Sequence, residues 1–303
     1  MPLGTNNTTT TTAAVYIPQL WSDEVIATFK ANIVVANLIT RFDQVGKKGS
    51  VLNVPNFSRG TASAKTQGSQ VTLIAPTDAN TAITINKWFE YSRLIEDIVE
   101  VQSLDSFRMA YTDDAGYSLA KQIDTDLINL GSAAQGGAGT ATYNAAYIGG
   151  DGTTLYTSGT PNHTALTDAG IRRTVQRLDD ADVPMKERFF LVPPSCRNVL
   201  MGISRFTEQA FVGESGMDNT LRTGKIGDIY GIPVFVSTNC ATATGAARVA
   251  LLGHKSWSAL AMQQEVRSQA QYKQEYLSEL FTADTIYGVA ELRDNGVVAL
   301  AVP

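Results

Sequence analysis

Hydrophobic residues recur at helical spacing near the start of the chain. In residues 17–40, Trp21, Val25 and Phe29 fall four positions apart, which predicts a short amphipathic helix with one apolar face. Residues 1–16, which precede it, are rich in Thr and Asn and carry almost no charge. They cannot bury enough apolar area to offset the entropy lost on ordering. We therefore interpret them as an arm that becomes ordered only against a partner.

Strand patterns follow in the next part of the chain. Residues 50–55 predict a short strand, 56–70 a polar tip of small residues, and 70–76 a strand that returns alongside the first. A hairpin this long, with so little apolar content at its end, cannot be held by its own core. We expect it to project and to lie on another surface. Between Ile83 and Ile95, alternate positions are apolar, as in a half-buried strand.

A second helical pattern covers residues 103–131, where apolar and small residues follow one face and acidic residues fill much of the rest. The Gly-rich residues 131–163 predict a long loop region. Patterns of helix and strand then alternate. The predicted elements are a helix capped by Thr167, a strand at 188–192, a helix in 194–203 with proline at its start, two strands about Gly231, a strand in 247–254, and a two-strand turn at 294–296.

Composition and charge narrow the possible functions. The chain has 303 residues, of which 44% are apolar and 17% charged, and the length favours two domains or subdomains over one. A surface this poor in charge suggests that much of it contacts other molecules. The net charge is −5, so no overall basic field attracts nucleic acid. Acidic residues concentrate between Glu96 and Leu130, where eight acidic residues against two basic ones give a charge of −6.

The sequence predicts no catalytic, cofactor-binding or metal-binding residues. No phosphate-binding glycine motif or nucleophile motif occurs in it. His163 and His254 have no carboxylate partner in their local sequence, which disfavours a metal or general-base role. Cys196 and Cys240 lie far apart and fit no redox or metal spacing, so we interpret them as buried thiols in a reducing cytosol. No apolar run is long enough to span a membrane, and no secretion signal begins the sequence.

Charged residues on the long helix and at the hairpin tip have simple interpretations. Asp113 and Asp114 are neighbours and so point in different directions, which argues against an acid–base pair. We interpret Asp124 and Asp126 as part of a solvated or partner-facing face. Lys65 lies at the hairpin tip, where we expect an exposed lysine rather than a group that attacks a neighbouring chain.

The order of these elements resembles the major coat protein of tailed bacteriophages, which has the HK97-type capsid fold. The resemblance extends from about Ile17 to Val302. The stretches that carry it are IPQLWSDEVIATF for the arm helix, GYSLAKQIDTDLINLG at 116–131 for the spine helix, RFFLVPPSCRNVLMG at 188–202 and GDIYGIPVFVSTN at 227–239 for the axial domain, and FTADTIYGVAELRDNGVVAL at 281–300 for the closing strands.

The resemblance implies an α+β fold with an N-terminal arm, an extended E-loop hairpin, a peripheral domain with a long spine helix, and an axial α/β domain. In the wedge-shaped axial domain, Gly231 and Pro233 would form part of the sheet. The implied boundaries are 1–44 for the N-arm, 45–82 for the E-loop, 83–134 for the peripheral domain with its spine helix, 135–262 for the axial domain, and 263–303 for the return strands of the peripheral domain.

The same resemblance implies a structural, non-enzymatic protein in the virion capsid, synthesised in the host cytoplasm. Copies of the chain would form pentamers and hexamers of an icosahedral phage head that encloses double-stranded DNA, with the E-loop lying over the neighbouring peripheral domain. A portal, cement proteins and a separate scaffolding protein are further expected partners, and packaged DNA is contacted only non-specifically. We expect no cofactor and no membrane partner. The expected inter-subunit contacts are Trp21, Phe29, Arg59, Lys65, Asp113, Asp114, Asp218 and Arg222.

Three alternatives stay open at the level of the sequence. An encapsulin-like cellular compartment would share the fold class and hold cargo instead of a genome. A cytosolic α/β enzyme would use His163 or His254 and form a compact monomer or a small oligomer. An adhesin or tail protein built on the Thr-rich start would form fibres or trimers.

Overall fold

The computed structural model describes residues 34–57, 60–71, 73, 79–98, 106–134, 148–154, 163–203, 227–243 and 247–303. The main α-helices in these ranges are α1 (Ser106–Ala134), α2 (Asp168–Asp180) and α3 (Pro194–Met201), and short 3-10 helices lie at Val35–Asn37, Lys255–Trp257 and Asp294–Gly296. The strands are β1 (Thr40–Asp43), β2 (Val51–Asn56), β3 (Ala79–Thr84), β4 (Lys87–Glu96), β5 (Ile148–Gly149), β6 (Arg188–Val192), β7 (Asp228–Ile229), β8 (Ile232–Val236), β9 (Arg248–His254), β10 (Ser258–Lys273), β11 (Ser278–Glu291) and β12 (Val297–Val302).

Two main sheets organise the strands. One sheet has four strands in the order β1-β10-β11-β4, and the other has six in the order β5-β12-β9-β6-β8-β7. Strands β2 and β3 pair with each other as a separate hairpin. In the four-stranded sheet β1 runs parallel to β10, whereas the other neighbours are antiparallel. The chain crosses between the two sheets from β9 to β10 and again from β11 to β12.

Helix α1 packs against both sheets along one face. Its buried residues Ala115, Leu119, Ile123 and Leu127 are spaced four apart, the spacing that places side chains on one side of a helix. The first two belong to a cluster with residues of the four-stranded sheet. The last two belong to the largest cluster, which contains residues from both sheets and Trp257. The helix therefore joins the two sheets through a common core.

The six-stranded sheet is buried on both faces. Phe189 and Leu191 of β6 face the α1 side, whereas Phe190 and Val192 belong to a cluster with residues of α2 and α3. Strands β9 and β12 divide their residues between the same two clusters. A strand covered on both sides carries apolar side chains at every position. This explains the continuous apolar runs RFFLV, VALL and VVALAV in the sequence.

Several sequence predictions for this half of the chain are confirmed. The strand at 188–192 and the helix with proline at its start are found where they were predicted. Helix α2 begins after Thr167, whose Oγ1 accepts a hydrogen bond of 3.0 Å from the Gly170 amide. Two strands flank Gly231, which has a φ of 75°, a conformation that glycine adopts without strain. The mixed helix and sheet class is confirmed as well.

The predicted return strand of the hairpin is wrong. Strand β2 pairs with Ala79–Thr84, and residues 70, 71 and 73, the described part of the predicted return strand, lie in no strand. Ile83 is fully buried against Ala259 and Ala261, whereas Leu73 is 88% exposed. Burial of an apolar side chain at the base of the hairpin therefore set the register. The predicted single strand from Ile83 to Ile95 is divided between β3 and β4.

The predicted two-strand turn at 294–296 is also wrong. These residues form a 3-10 turn that leads from β11 in one sheet to β12 in the other. Gly296 lies against Trp257, and a Cβ at this glycine would come within 2.7 Å of the Trp257 Cβ. Position 296 therefore requires a glycine because Trp257 packs closely against it, and not because the chain forms a hairpin there.

The interpretation of Asp124 and Asp126 as a solvated or partner-facing pair is wrong. Asp124 is fully buried, and its carboxylate accepts hydrogen bonds from the Val35 amide at 2.8 Å and from the Asn239 side chain at 3.2 Å. Asp126 accepts a 2.6 Å bond from the Tyr287 hydroxyl. These carboxylates hold α1 to neighbouring segments of the same chain.

The division into domains stays a prediction. In the six-stranded sheet, β12 pairs with β9 and β5, so residues 297–302 share a sheet with the strands assigned to the axial domain. The predicted boundary at 263 falls inside β10, which is one continuous strand apart from its bulges. The amphipathic helix predicted within 17–40 falls mainly outside the described residues, which begin at 34. So does most of the loop region predicted at 131–163.

Replacing Asp124 with Asn tests its buried hydrogen bonds. We expect the free energy of unfolding to fall by about 2 kcal/mol, because a hydrogen bond to a charged group contributes about 1.5–3 kcal/mol. The exposed Asp113→Asn substitution on the same helix should change it by less than about 0.5 kcal/mol. Urea unfolding of the unassembled full-length chain, followed by circular dichroism, gives both values. Equal, small losses for the two variants would contradict this role of Asp124.

Candidate intersubunit surfaces

The β2–β3 hairpin is attached to the four-stranded sheet at its base. Leu52 and Val54 pack in the cluster that contains Ile83. The Gln263 side-chain amide donates to the carbonyl oxygens of Lys47 at 3.0 Å and Gly49 at 2.9 Å. These contacts hold both sides of the base, so the direction in which the hairpin leaves the sheet is fixed.

The tip of the hairpin exposes large apolar side chains. Phe57, Val71 and Leu73 are 79%, 62% and 88% exposed. A soluble chain rarely leaves several large apolar groups uncovered on a projecting element, because their hydration is unfavourable. The tip is therefore suited to bury these groups against another surface.

Lys65 lies in this tip, as predicted from the sequence. Its amine donates a 2.8 Å hydrogen bond to the Ser69 carbonyl, and the Ser69 hydroxyl donates to the Thr66 carbonyl at 2.7 Å. Gly68 completes the turn with a φ of 80°. The lysine thus stabilises a local turn on the exposed side of the hairpin, and its contact with another copy stays a prediction.

A second exposed region is the far end of the β10–β11 hairpin. Every residue from Glu265 to Tyr272 is exposed. Tyr276 and Leu277, in the connecting turn, are 64% and 65% exposed. The Tyr272 hydroxyl donates a 2.7 Å bond to the Asp97 carboxylate. This end of the sheet extends beyond the core and carries apolar groups, as the β2–β3 hairpin does.

Asp284 fixes the point at which this long hairpin leaves the core. Both of its oxygens accept bonds from the Arg267 guanidinium, at 3.1 and 3.0 Å. The side chains of Gln264 and Trp88 donate to the same carboxylate at 3.0 and 3.3 Å. The bond to Arg267 lowers the pKa of Asp284, so it remains charged. These bonds lie where the register of β10 shifts, and they hold the bulge in one geometry.

A polar cleft of about 860 Å³ lies between the end of β2 nearest the hairpin tip, the segment that follows α2, and the crossing from β11 to β12. Phe57, Asp180, Asp182, Arg293 and Asp294 are among the residues that line it.

Beside this cleft, β11 ends at Glu291, which is paired with Ser258 in the antiparallel register. Glu291 Oε1 and Ser258 Oγ are buried and have no hydrogen-bond partner among the described residues. Burial, together with the nearby Asp294 carboxylate, raises the pKa of Glu291 to about 7. The junction between the two sheets therefore holds a carboxyl group that titrates near neutral pH.

The structure places three of the predicted contact residues. Asp113 is exposed on α1, and Asp114 accepts a 3.1 Å bond from the Tyr91 hydroxyl on β4. Asp114 thereby contacts the four-stranded sheet, and Lys65 is separate from both aspartates in the hairpin tip. The remaining predicted contacts lie outside the described residues: Trp21, Phe29, Arg59, Asp218 and Arg222. All eight stay predictions.

His254 and the two cysteines have places within the subunit, whereas His163 Nδ1 is buried with no hydrogen-bond partner among the described residues. His254 Nδ1 accepts a 3.1 Å bond from the Ser256 amide, and burial lowers the pKa of this histidine. Cys196 and Cys240 are free and buried, and burial raises the pKa of each to about 12. They are therefore unreactive thiols at neutral pH. Within the described ranges, no group of acidic, histidine or cysteine side chains is arranged to hold a metal ion.

Sequence reasoning missed the second exposed region. The segment QQEVRSQAQYK at 263–273 carries few apolar residues and alternates weakly, so its own pattern predicted no strand, and only the family resemblance implied return strands from 263. The one feature of the segment that could have indicated a contact surface is the presence of two large side chains, Val266 and Tyr272, among polar residues. The described helices include none long and apolar enough to cross a membrane.

Comparisons with known proteins agree in pointing to one family. The family model described as phage capsid protein matches residues 42–302. A solved structure from Mycobacterium phage Che8 is 25% identical, with a TM-score of 0.74, and the match covers 94% of this chain and 97% of that one. The capsid structure of the cyanophage P-SCSP1u is 17% identical, with a TM-score of 0.76 and coverage of 98% and 96%. No curated protein sequence matches the chain.

Glu291 gives a prediction for the pH dependence of stability. The folded chain keeps a proton on this group up to about pH 7, whereas the unfolded chain releases it near its ordinary pKa of 4.5. Because the folded state binds more protons in this window, stability should decline as the pH rises from about 4.5 to about 7. Glu291→Gln should remove this part of the decline.

The measurement is the urea midpoint of the unassembled chain at about pH 5 and about pH 8. The exposed Glu90→Gln substitution on β4 serves as the control and should leave the decline unchanged. If the wild-type and Glu291→Gln midpoints change in parallel with pH, the pKa of Glu291 is not raised.

Proposed function

The chain belongs to the phage capsid protein family, and on that premise we propose how its exposed surfaces build a shell. It is a structural major capsid protein with the HK97-like fold, and copies of it form the icosahedral head of a phage. Its place is the virion capsid. The proposal concerns which surfaces join the copies, which partners take part, and what the shell contains.

The observation that carries the proposal is the projecting hairpin. Its base is fixed to the sheet, while Phe57, Val71 and Leu73 at its tip are exposed. We propose that the tip lies over the peripheral domain of the neighbouring subunit and buries these side chains there. Full burial of an apolar side chain of this size contributes roughly 1.5–3 kcal/mol. Closed rings repeat the contact, so modest interfaces give a stable shell.

The six-stranded sheet, with α2 and α3 on one face, fits the role of the axial domain. Copies of it would surround the centre of each pentamer and hexamer. The four-stranded sheet with α1 would form the peripheral domain and carry the E-loop on its edge. In this arrangement the two sheets contact different neighbouring subunits, and the shared core around α1 holds the two sheets together within each subunit.

Double-stranded DNA is the proposed content of the shell. The net charge of −5 offers no strong attraction, which suits non-specific contact with DNA that is driven in from outside. Asp124 and Asp126 are bonded within the chain, so α1 presents less negative charge than its sequence suggests. The proposed further partners are a scaffolding protein, a portal and cement proteins. Catalysis and a cofactor have no place in this function, and synthesis in the host cytoplasm precedes assembly.

Electron microscopy of the purified full-length protein, with sedimentation, tests the shell. We expect capsomers or closed particles tens of nanometres across, because repeated weak contacts favour closed assemblies. A homogeneous monomer or small oligomer under assembly conditions would contradict the proposal. Particles recovered from phage-infected cells should absorb strongly at 260 nm. Particles that hold protein cargo and no nucleic acid would favour the encapsulin-like alternative.

Substitutions at the hairpin tip test the proposed contact. Combining Phe57→Ser with Leu73→Ser should leave the circular dichroism spectrum unchanged, because both side chains are exposed in the subunit. The yield of particles should fall at least about tenfold, since each closed ring repeats the lost burial. Met185→Ser is the matched control, because Met185 is 75% exposed and lies outside the hairpin. Normal assembly of the double variant would exclude the tip as a major contact.

A further inference from the structure

Among the described residues, one long edge of the four-stranded sheet is left open. Strand β1 pairs with β10 only at Ala259–Met262. The Gln44 amide still bonds to the Met262 carbonyl at 2.8 Å, and the chain then turns away towards β2. From Glu265 to Lys273 no strand of the described residues pairs with this edge of β10.

The open edge is unusually well suited to strand pairing. An exposed edge presents unpaired N–H and C=O groups, and proteins commonly block it with proline, charges or a covering element. Residues 265–273 contain no proline, and two of their three charged side chains, Glu265 and Arg267, are bonded within the subunit. The bulges of β10 lie between Met262 and Arg267, so the strand is regular from there to its end. The backbone from Arg267 to Lys273 can therefore accept another strand.

We propose that two copies of the chain pair these edges antiparallel to each other, about a two-fold axis beside Gln269. The inference rests on the proposed shell function, because a shell brings many copies of this edge together. It differs from the hairpin contact in joining identical surfaces of two subunits.

Symmetry restricts the possible registers. Directly opposite residues of an antiparallel pair point to the same face of the sheet, and successive residues of a strand point to opposite faces. A two-fold axis perpendicular to the sheet does not exchange its two faces, so a residue and its symmetry copy point to the same face. The axis must therefore pass beside a residue that lies opposite its own copy, and only registers centred on a residue are allowed.

The side chains favour the register centred on Gln269. It brings Glu265, at the end of the bulge, level with Lys273 at each end of the pairing, so opposite charges meet twice. Val266, also in the bulge, comes level with Tyr272, and these side chains are 48% and 49% exposed in the subunit. The remaining pairs are Arg267 with Gln271, Ser268 with Ala270, and Gln269 with its own copy.

Neighbouring registers are less favourable. Centred on Ala270, the pairing would place Arg267 opposite Lys273 and so oppose two cations, which is destabilising. Centred on Ser268, it would place Glu265 opposite Gln271 and lose the ion pair. Of the three registers, which are centred on Ser268, Gln269 and Ala270, the charged residues therefore favour the one centred on Gln269.

Contacts within the subunit fix the edge before pairing. Arg267 is bonded to Asp284 through two nitrogens. Glu265 bonds at 2.9 Å to Arg41, which lies on β1 beside the start of the open edge. The Thr285 hydroxyl donates to the Gln264 carbonyl at 3.0 Å. Because the bulge is held on both sides, the strand beyond it loses little entropy when a partner binds.

A cysteine on the proposed axis tests the register directly. In a Gln269→Cys variant the two cysteines would have Cα atoms about 4.5–5.5 Å apart, within the range of a disulfide. In a Gln271→Cys control the two copies would lie about 14 Å apart along the strands, too far to bridge. The natural cysteines are buried, so they add little background. After mild oxidation of assembled particles, we expect at least about tenfold more disulfide-linked dimer from Gln269→Cys.

Charge reversal gives a second readout of the same pairing. Adding Lys273→Glu to the Gln269→Cys chain would oppose two carboxylates and should reduce the dimer. Adding Glu265→Lys as well would restore opposite charges and should recover it. Circular dichroism and particle morphology show whether each variant folds and assembles.

The outcomes separate this inference from the shell function. A wild-type chain that forms no particles contradicts the proposed function. Intact particles in which Gln269→Cys yields no more dimer than Gln271→Cys overturn the strand pairing alone. Efficient disulfide formation between Gln269→Cys and Leu73→Cys chains in mixed particles would overturn it too, because the neighbouring hairpin would then occupy this edge.

Discussion

The packing of α1 against both sheets is the constraint on which the rest of the structure depends. Ile123 and Leu127 lie in one apolar cluster with residues of the four-stranded and the six-stranded sheet. Gly131 lets the last turn of the helix approach Trp257, where a Cβ would stand 3.0 Å from the indole ring. Trp257 also lies where the chain crosses between the sheets. Because the two sheets share this core, the surfaces that project from each of them keep a fixed relative direction.

Buried carboxylates complete this framework at points where apolar packing cannot. Asp124 ties residues 34–35 and Asn239 to α1, and Asp284 holds the bulge of β10. In each case the charge is compensated by several donors, as a buried charge requires. Buried polar groups thus hold helices and strands in place inside the subunit. Large apolar side chains are left exposed on the two projecting hairpins, β2–β3 and β10–β11. This division suits a protein whose stability as a shell comes from contacts between copies.

The sequence was most informative where a strand is buried on both faces. Phe189 and Phe190 in β6 gave an unmistakable apolar run, and Thr167 marked a helix start by a local hydrogen bond. The sequence was least informative where strand pairing depends on contacts between residues far apart in the chain. The pairing of β2 with β3 depends on Ile83 meeting β10, which no local pattern records. For the candidate contacts, the sequence placed Lys65 in an exposed tip but gave no sign of the open edge of β10.

The sequence by itself determined the α+β class, the α/β block from Thr167 to His254 and the absence of recognisable catalytic motifs, since these follow from short-range periodicity and residue chemistry. The tertiary structure alone decided the length of the projecting hairpin, the crossing at 294–296 and the internal use of Asp124. The physical reason is the range of the interactions. Helix caps and alternation act over a few residues, whereas register, burial of a charge and exposure of an edge depend on partners more than a hundred residues away in the chain.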